Sequence, residues 1–276
     1  MTTQAPVLPL EKAWQFQADS GIKEPGVTAA YDQIYFTTKE GQIYALDATT
    51  GQTKWAFKME KTLQLPLTTA DELVFAASKD KNLYVINAKN GQKHWQFSTG
   101  KDFVEWTYAD GPATANGTVY IATRDKKLYA LDTQIGKVKW QFQAGGEILT
   151  PAIINETIYF GSKDKKVYAL NTKNGQKIWE TKTGHEKHTR PIITENKLLI
   201  AGDDDLYAIN PNNGTILWEV KKALYYQTMP AVAGGLAYTT KNEAIIDLAT
   251  GKEVDKIREA ADCATFVSDE NLYVKH

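Results

Sequence analysis

Two short segments carry side chains of the kinds that hold metal ions. His185 and His188 flank Glu186 and Lys187, and Asp203, Asp204 and Asp205 follow one another directly. The histidines are not the pair that H-E-x-x-H sets on one helix face, and no third ligand follows at a matching spacing. The aspartates lack the alternating oxygens and the glycine of a calcium loop. The expectation is exposed loop histidines, a solvated acidic turn and no metal. The chain also has no Gly-x-Ser-x-Gly elbow, no phosphate-binding P-loop and no carboxylate pair of assignable spacing. What remains is recognition chemistry. The segment Gly100 to Gly111 carries Phe103, Trp106 and Tyr108 among Asp102, Glu105 and Asp110, and Tyr225 and Tyr226 stand together in another segment. Aromatic faces with a few polar groups suit a sugar, a flat ring or a peptide.

The elements that must position these segments follow from a recurring phrase, Ala-x-Asp/Asn-x-x-x-Gly-x-x-x-Trp. It reads Ala45, Asp47, Gly51, Trp55, then Ala130, Asp132, Gly136, Trp140, then Ala169, Asn171, Gly175, Trp179, then Ala208, Asn210, Gly214, Trp218. Val85, Asn87, Gly91 and Trp95 form a further copy, and Ile245, Asp247, Gly251 and Asp255 a degenerate one. The glycines are 40, 45, 39, 39 and 37 residues apart. A period of this size marks a solenoid, a propeller or an array. Residues 151–180 break into four short runs rich in Ile, Val, Tyr and Trp, bounded by Asn, Asp, Lys and Gly. That is strand signal, and four strands in about forty residues is one propeller blade. The glycine supplies positive φ at the turn before the outer strand, and Asp or Asn can bond that turn's backbone. The small Ala leaves room for a neighbour, and the Trp can lie across the junction with the next blade with its N–H on a carbonyl.

The phrase resembles the tryptophan-docking motif of pyrroloquinoline-quinone-like (PQQ-like) propeller repeats, over roughly residues 12 to 275. The resemblance implies an all-β propeller of four-stranded antiparallel blades. The quinone-dependent dehydrogenases of that group use an eight-bladed ring, a calcium or lanthanide ion, a catalytic Asp and often a disulfide of adjacent cysteines. This chain is much shorter, has the single Cys263, and offers no assignable ion-binding set. The resemblance therefore points to the non-catalytic members, among them the propeller lipoprotein of the bacterial outer-membrane β-barrel assembly machine and sensor domains of membrane kinases. The function it implies is a binding scaffold with a protein or peptide partner, without catalytic residues or cofactor. A sensor of a carbohydrate or other ring compound is the alternative, and a quinone-dependent dehydrogenase the third.

Seven outer strands can be counted, from Lys12–Gln17 around Trp14 to residues 253–258, but only six clear third strands. The expected architecture is one domain over residues 1–276, with seven blades (six or eight being the alternatives) and both termini sharing the closing blade, which removes open strand edges. Connections between blades and the turns between second and third strands then share one face. That face would collect Phe103, Trp106, Tyr108, His188, Arg190, Tyr225 and Tyr226. Glu24 and Arg190 are the charged members of the ring of residues just before the inner strands. Lysine-rich turns at 79–82, 124–127 and 163–166 lie there too. The net charge of −1 calls for neither nucleic acid nor membrane, and a monomer is expected. The N-terminus reads as no signal peptide and no apolar run spans a bilayer. The expected compartment is thus cytoplasmic, or the cell envelope implied by the resemblance if the chain is a trimmed piece of a longer protein.

Overall fold

A computed structural model describes residues 12–104, 111–149, 151–225, 228–241, 243–256, 265–268 and 271–274. All regular structure among them is β-strand. The first sheet runs β1 (Ile22–Ala30), β2 (Gln33–Thr38), β3 (Gln42–Asp47) and β4 (Thr53–Lys58), each paired antiparallel with the next. The second runs β5 (Thr68–Ala70), β6 (Leu73–Ala77), β7 (Asn82–Asn87) and β8 (Lys93–Ser98). The third holds β9 (Ala113–Ala115), β10 (Thr118–Thr123), β11 (Lys127–Asp132) and β12 (Val138–Gln143). The fourth holds β13 (Ala152–Ile154), β14 (Thr157–Ser162), β15 (Lys166–Asn171) and β16 (Lys177–Lys182). The fifth holds β17 (Ile192–Thr194), β18 (Lys197–Gly202), β19 (Asp205–Ile209) and β20 (Ile216–Val220). The sixth holds β21 (Ala231–Ala233), β22 (Leu236–Tyr238), β23 (Ala244–Asp247) and β24 (Glu253–Lys256). A final pair, β25 (Thr265–Ser268) and β26 (Asn271–Val274), lies beside β21.

These are propeller blades. The described residues give six four-stranded blades and one two-stranded sheet, against the expected seven. The expected outer strand around Trp14 forms no strand, since residues 12–18 pair with no sheet. Their side chains still pack: Trp14 Nε1–H donates to the Ala48 carbonyl at 3.1 Å, and Phe16 lies 5.6 Å from the Phe36 ring.

Two compact units divide the chain, one holding the first two sheets and the other the remaining sheets. In both, the second strand of a blade is buried on both faces, and the outer strand exposes every side chain but the tryptophan and the half-buried residue two positions after it. The reason is stacking: apolar cores form between successive sheets. One joins Tyr120, Ala130 and Trp140 to Ile158, Phe160 and Leu170, and the next joins Tyr159, Ala169 and Trp179 to Leu198, Ile200 and Ile209. A strand clamped this way reads as a continuous apolar run.

Register explains the recurring phrase. Tyr159 faces Ala169, which faces Trp179, and the same row runs Tyr120, Ala130, Trp140. With only a methyl between them the two rings meet, at 5.9 Å and 5.7 Å between centroids. In the second unit each indole crosses to the next sheet's turn: Trp140 donates to Thr172 O at 2.8 Å, Trp179 to Pro211 O at 2.8 Å and Trp218 to Leu248 O at 3.0 Å. Trp55 does the same in the first unit, to Ala88 O at 2.8 Å. The glycine of the receiving turn is needed twice over. Gly175 has φ +70°, and a Cβ there would lie 2.6 Å from Cε3 of Trp140. The turn preceding it is held by the Asn171 side chain, which accepts from Lys173 N–H at 2.9 Å.

Candidate functional site

The connections that lead from an outer strand to the next blade were expected to hold the recognition residues. Four of the five between the four-stranded sheets first insert a side chain into the interior. Leu63 bridges Ser78, Ile148 bridges Ser162 and His188 bridges Gly202, and the following residue donates its N–H to the next sheet's second strand in all three cases. Leu63 and Ile148 are buried, and so is His188 at 5% exposure. Phe103 stands eight residues past Trp95, as Leu63 stands past Trp55 and Ile148 past Trp140. It is fully buried, with its N–H and carbonyl bonded to the Gln64 side chain at 3.2 and 2.8 Å. Phe103 and His188 are thus interior plugs and offer no ring to a surface ligand, because backbone pairing at these points turns the side chains inward.

The other candidates divide between connections. Arg190 is exposed two residues beyond His188. Tyr225 is 40% exposed, and its N–H donates to Thr240 Oγ1 at 3.0 Å. Trp106, Tyr108 and Tyr226 lie outside the described residues, and Glu24 is placed in β1 with its side chain outside them. On the third lysine-rich turn the charge is balanced locally: Lys163 pairs with Glu147 at 2.6 Å, Lys166 with Glu180 at 2.5 Å and Lys165 with Glu186 at 3.5 Å. The Lys166 and Lys177 ammonium groups hold the Glu180 carboxyl below its ordinary range.

His188 replaces an aliphatic plug with a titratable one. Its Nε2 lies 2.7 Å from Thr183 Oγ1, and its Nδ1 is buried with no hydrogen-bond partner. Burial, reinforced by nearby His185, pushes its pKa down to about 4. The ring fits because residue 161 is Gly: a Cβ there would lie 2.3 Å from His188 Cβ and 2.8 Å from Nδ1. Gly161→Ala is therefore expected to destabilise by about 1–3 kcal/mol through overpacking, read as a lower urea midpoint. Gly161→Ala should cost less in a His188→Gly background, which removes the Cβ 2.3 Å away together with the ring, and an equal cost in both backgrounds would show that the contact is not its cause.

The sequence reading missed one constellation. His185, expected to be a solvated loop residue, reaches back to the acidic turn that was expected to be solvated too. Its Nδ1 lies 3.0 Å from Asp203 Oδ2 and its Nε2 3.2 Å from Asp205 Oδ2. Glu219 joins them: one ligand atom each from His185, Asp205 and Glu219 lies within 4.8 Å of the others. Tyr207 O–H donates to Glu219 Oε1 at 3.0 Å, and burial together with that carboxylate raises the phenol's pKa. A signal was present in register. Asp205 opens the third strand where Gln42, Asn82, Lys127 and Lys166 open theirs, so one blade sets a second carboxylate where its neighbour sets the lysine that neutralises the first.

The comparisons with known proteins agree with this architecture. The family model described as outer membrane protein assembly factor BamB matches residues 11–105 and 101–257. The chain belongs to the BamB family of PQQ-like repeat proteins. Among solved structures it is similar to BamB from Moraxella catarrhalis, with 20% identity, a TM-score of 0.72, and coverage of 95% of this chain and 82% of that one. It is also similar to the computationally designed Ika8 protein, at 16% identity and a TM-score of 0.66, over 91% of this chain and 78% of that one. A europium-containing methanol dehydrogenase matches at 15% identity and a TM-score of 0.62, over 94% of this chain and 75% of that one. No curated protein matches in sequence. At these identities the structural likenesses establish the fold, which the BamB family shares with enzymes and with a designed protein alike.

Proposed function

We propose that this chain is a non-catalytic envelope propeller that binds a protein partner, in the manner of an outer membrane protein assembly factor. The observation that carries the reading is the BamB family match, which runs through all six four-stranded blades. The buried plugs support it physically. Leu63, Phe103, Ile148 and His188 fix four of the five connections between four-stranded sheets in the interior, so the residues beyond them, Arg190 included, are presented from a fixed base at little further entropic cost. On this reading Arg190 and Tyr225 are contact residues, and Trp106, Tyr108, Tyr226 and Glu24 are proposed as further ones. Tyr and Arg are the residue types that concentrate binding energy in protein interfaces.

The test is affinity capture from a bacterial envelope extract. Wild type is compared with Arg190→Glu/Tyr225→Ala and with Trp106→Ala/Tyr226→Ala, each checked for native fold by circular dichroism. Retention by wild type of a protein of outer-membrane protein assembly, reduced at least ten-fold in either variant, is the expected result. Equal retention by all three, or no retained protein, would overturn the assignment of this face and return it to a small ring ligand.

A further inference from the structure

We propose that His185, Asp205 and Glu219 form a binding site for one divalent transition-metal ion of the Zn2+ class, with Asp203 orienting the imidazole. The three ligand atoms lie within 4.8 Å of one another, each on a separate segment. Asp205 is on β19 and Glu219 on β20, while His185 comes from the connection that precedes their blade. A neutral imidazole has one N–H. If that N–H is on Nδ1 and donates to Asp203 Oδ2 at 3.0 Å, the Nε2 lone pair faces Asp205 Oδ2 at 3.2 Å, with Glu219 close by. Lone pairs that close repel. A cation relieves that repulsion, either the second proton of an imidazolium or a metal ion, and Glu219 adds a third ligand atom that a single proton would not use. A separation of 3.2 Å is also about what two ligands on a small ion subtend when each bond is about 2.0–2.2 Å.

Every ligand is held from outside. Asp203 fixes the imidazole, the Lys222 N–H fixes Asp205 Oδ1 at 2.8 Å, and Tyr207 O–H fixes Glu219 Oε1 at 3.0 Å. Carboxylate–histidine–metal chains of this kind set the tautomer and strengthen the ligand. One imidazole with two carboxylates favours a Zn2+-like ion over Ca2+, which takes six to eight oxygens.

The repeat supplies an independent argument. The fifth blade departs from its sisters at three coordinated positions. Asp205 stands where Lys166 pairs with Glu180 in the fourth blade, at 2.5 Å, so Glu219 faces a second carboxylate where Glu180 faces an ammonium group. Gly202 stands where Thr38, Ser78, Thr123 and Ser162 carry hydroxyls, and a Cβ on it would lie 3.0 Å from His185 Cβ. The connection is one residue longer, with His188 nine residues past Trp179 against eight from Trp140 to Ile148, and the added length carries His185 over Gly202. Each change alone is a substitution in a turn. Relative to the fourth blade they together remove a cation, add an anion, and open the space that an imidazole fills.

The experiment titrates the whole chain with ZnCl2 at pH 7.5 by calorimetry, with CaCl2 as the contrast. Expected are one equivalent of Zn2+ bound at micromolar Kd and no comparable heat from Ca2+. His185→Ala and Asp205→Lys should each weaken binding at least a hundred-fold. Asp203→Asn should weaken it about ten-fold, and His94→Ala should leave it unchanged. Asp205→Lys writes the sister blade's lysine into the fifth blade, so its fold is supported by Lys166, and His185→Ala acts outside the strands. Failure of wild type to take up Zn2+, or Zn2+ binding unchanged in both His185→Ala and Asp205→Lys, would overturn the proposal. It is independent of the partner-binding reading, since neither Arg190 nor Tyr225 is part of the site.

Discussion

Trp140→Ala is expected to lower the unfolding free energy by about 3–5 kcal/mol, the range for truncating a buried aromatic. The indole is 9% exposed and belongs to the core between the third and fourth sheets, so its loss removes packing from two blades at once. The effect should separate into parts. Trp140→Phe keeps much of the apolar contact and forfeits the hydrogen bond to Thr172 O. That carbonyl still accepts from Tyr120 O–H at 3.2 Å, so the cost should be nearer 1 kcal/mol for the bond itself. Gly175→Ala attacks the same junction from the other side, forcing a side chain onto a φ of +70° and into the Trp140 ring. Urea unfolding followed by circular dichroism ranks the three. A loss below about 1 kcal/mol for Trp140→Ala would mean that the junction between these sheets does not depend on the indole.

The second large effect is a pH dependence carried by His188. Its folded pKa of about 4 lies below the ordinary 6.5, so between those values the unfolded chain takes up a proton that the folded chain refuses. The stability linked to this group is complete above pH 6.5 and is lost as the pH falls through 4. The two values put that loss at about 3 kcal/mol. His188→Leu writes in the aliphatic plug that Leu63 supplies elsewhere, and it should remove this component. Other groups titrate over the same range, so the measurement is the difference between wild type and variant in urea at pH 7.5, 6, 5 and 4. The variant is expected to gain on wild type by up to about 3 kcal/mol at the acid end. Parallel curves would show that His188 is protonated in the fold without cost.

The sequence alone determined the repeating unit, because each part of the phrase answers a local requirement. Alternating runs of Ile, Val and Tyr form strands, glycine satisfies a positive φ, and the small residue between Tyr159 and Trp179 lets two rings meet across one row. Such requirements recur with the period and can be read from one dimension. Part of the site was legible in the same way. Phe103 occupies the register of Leu63 and Ile148 and could have been assigned to the interior, while the extra residue before His188 shifts it out of step and hides the same role.

What the tertiary structure decided is where charged and titratable groups end up relative to one another. His185, Asp205 and Glu219 lie far apart in the chain and meet only because β19 pairs with β20 and the preceding connection passes over Gly202. Taken singly, each has an ordinary reading as a loop histidine, a turn aspartate or an exposed glutamate. Electrostatic interaction depends on distances of a few ångströms through space, and strand order and register set those distances.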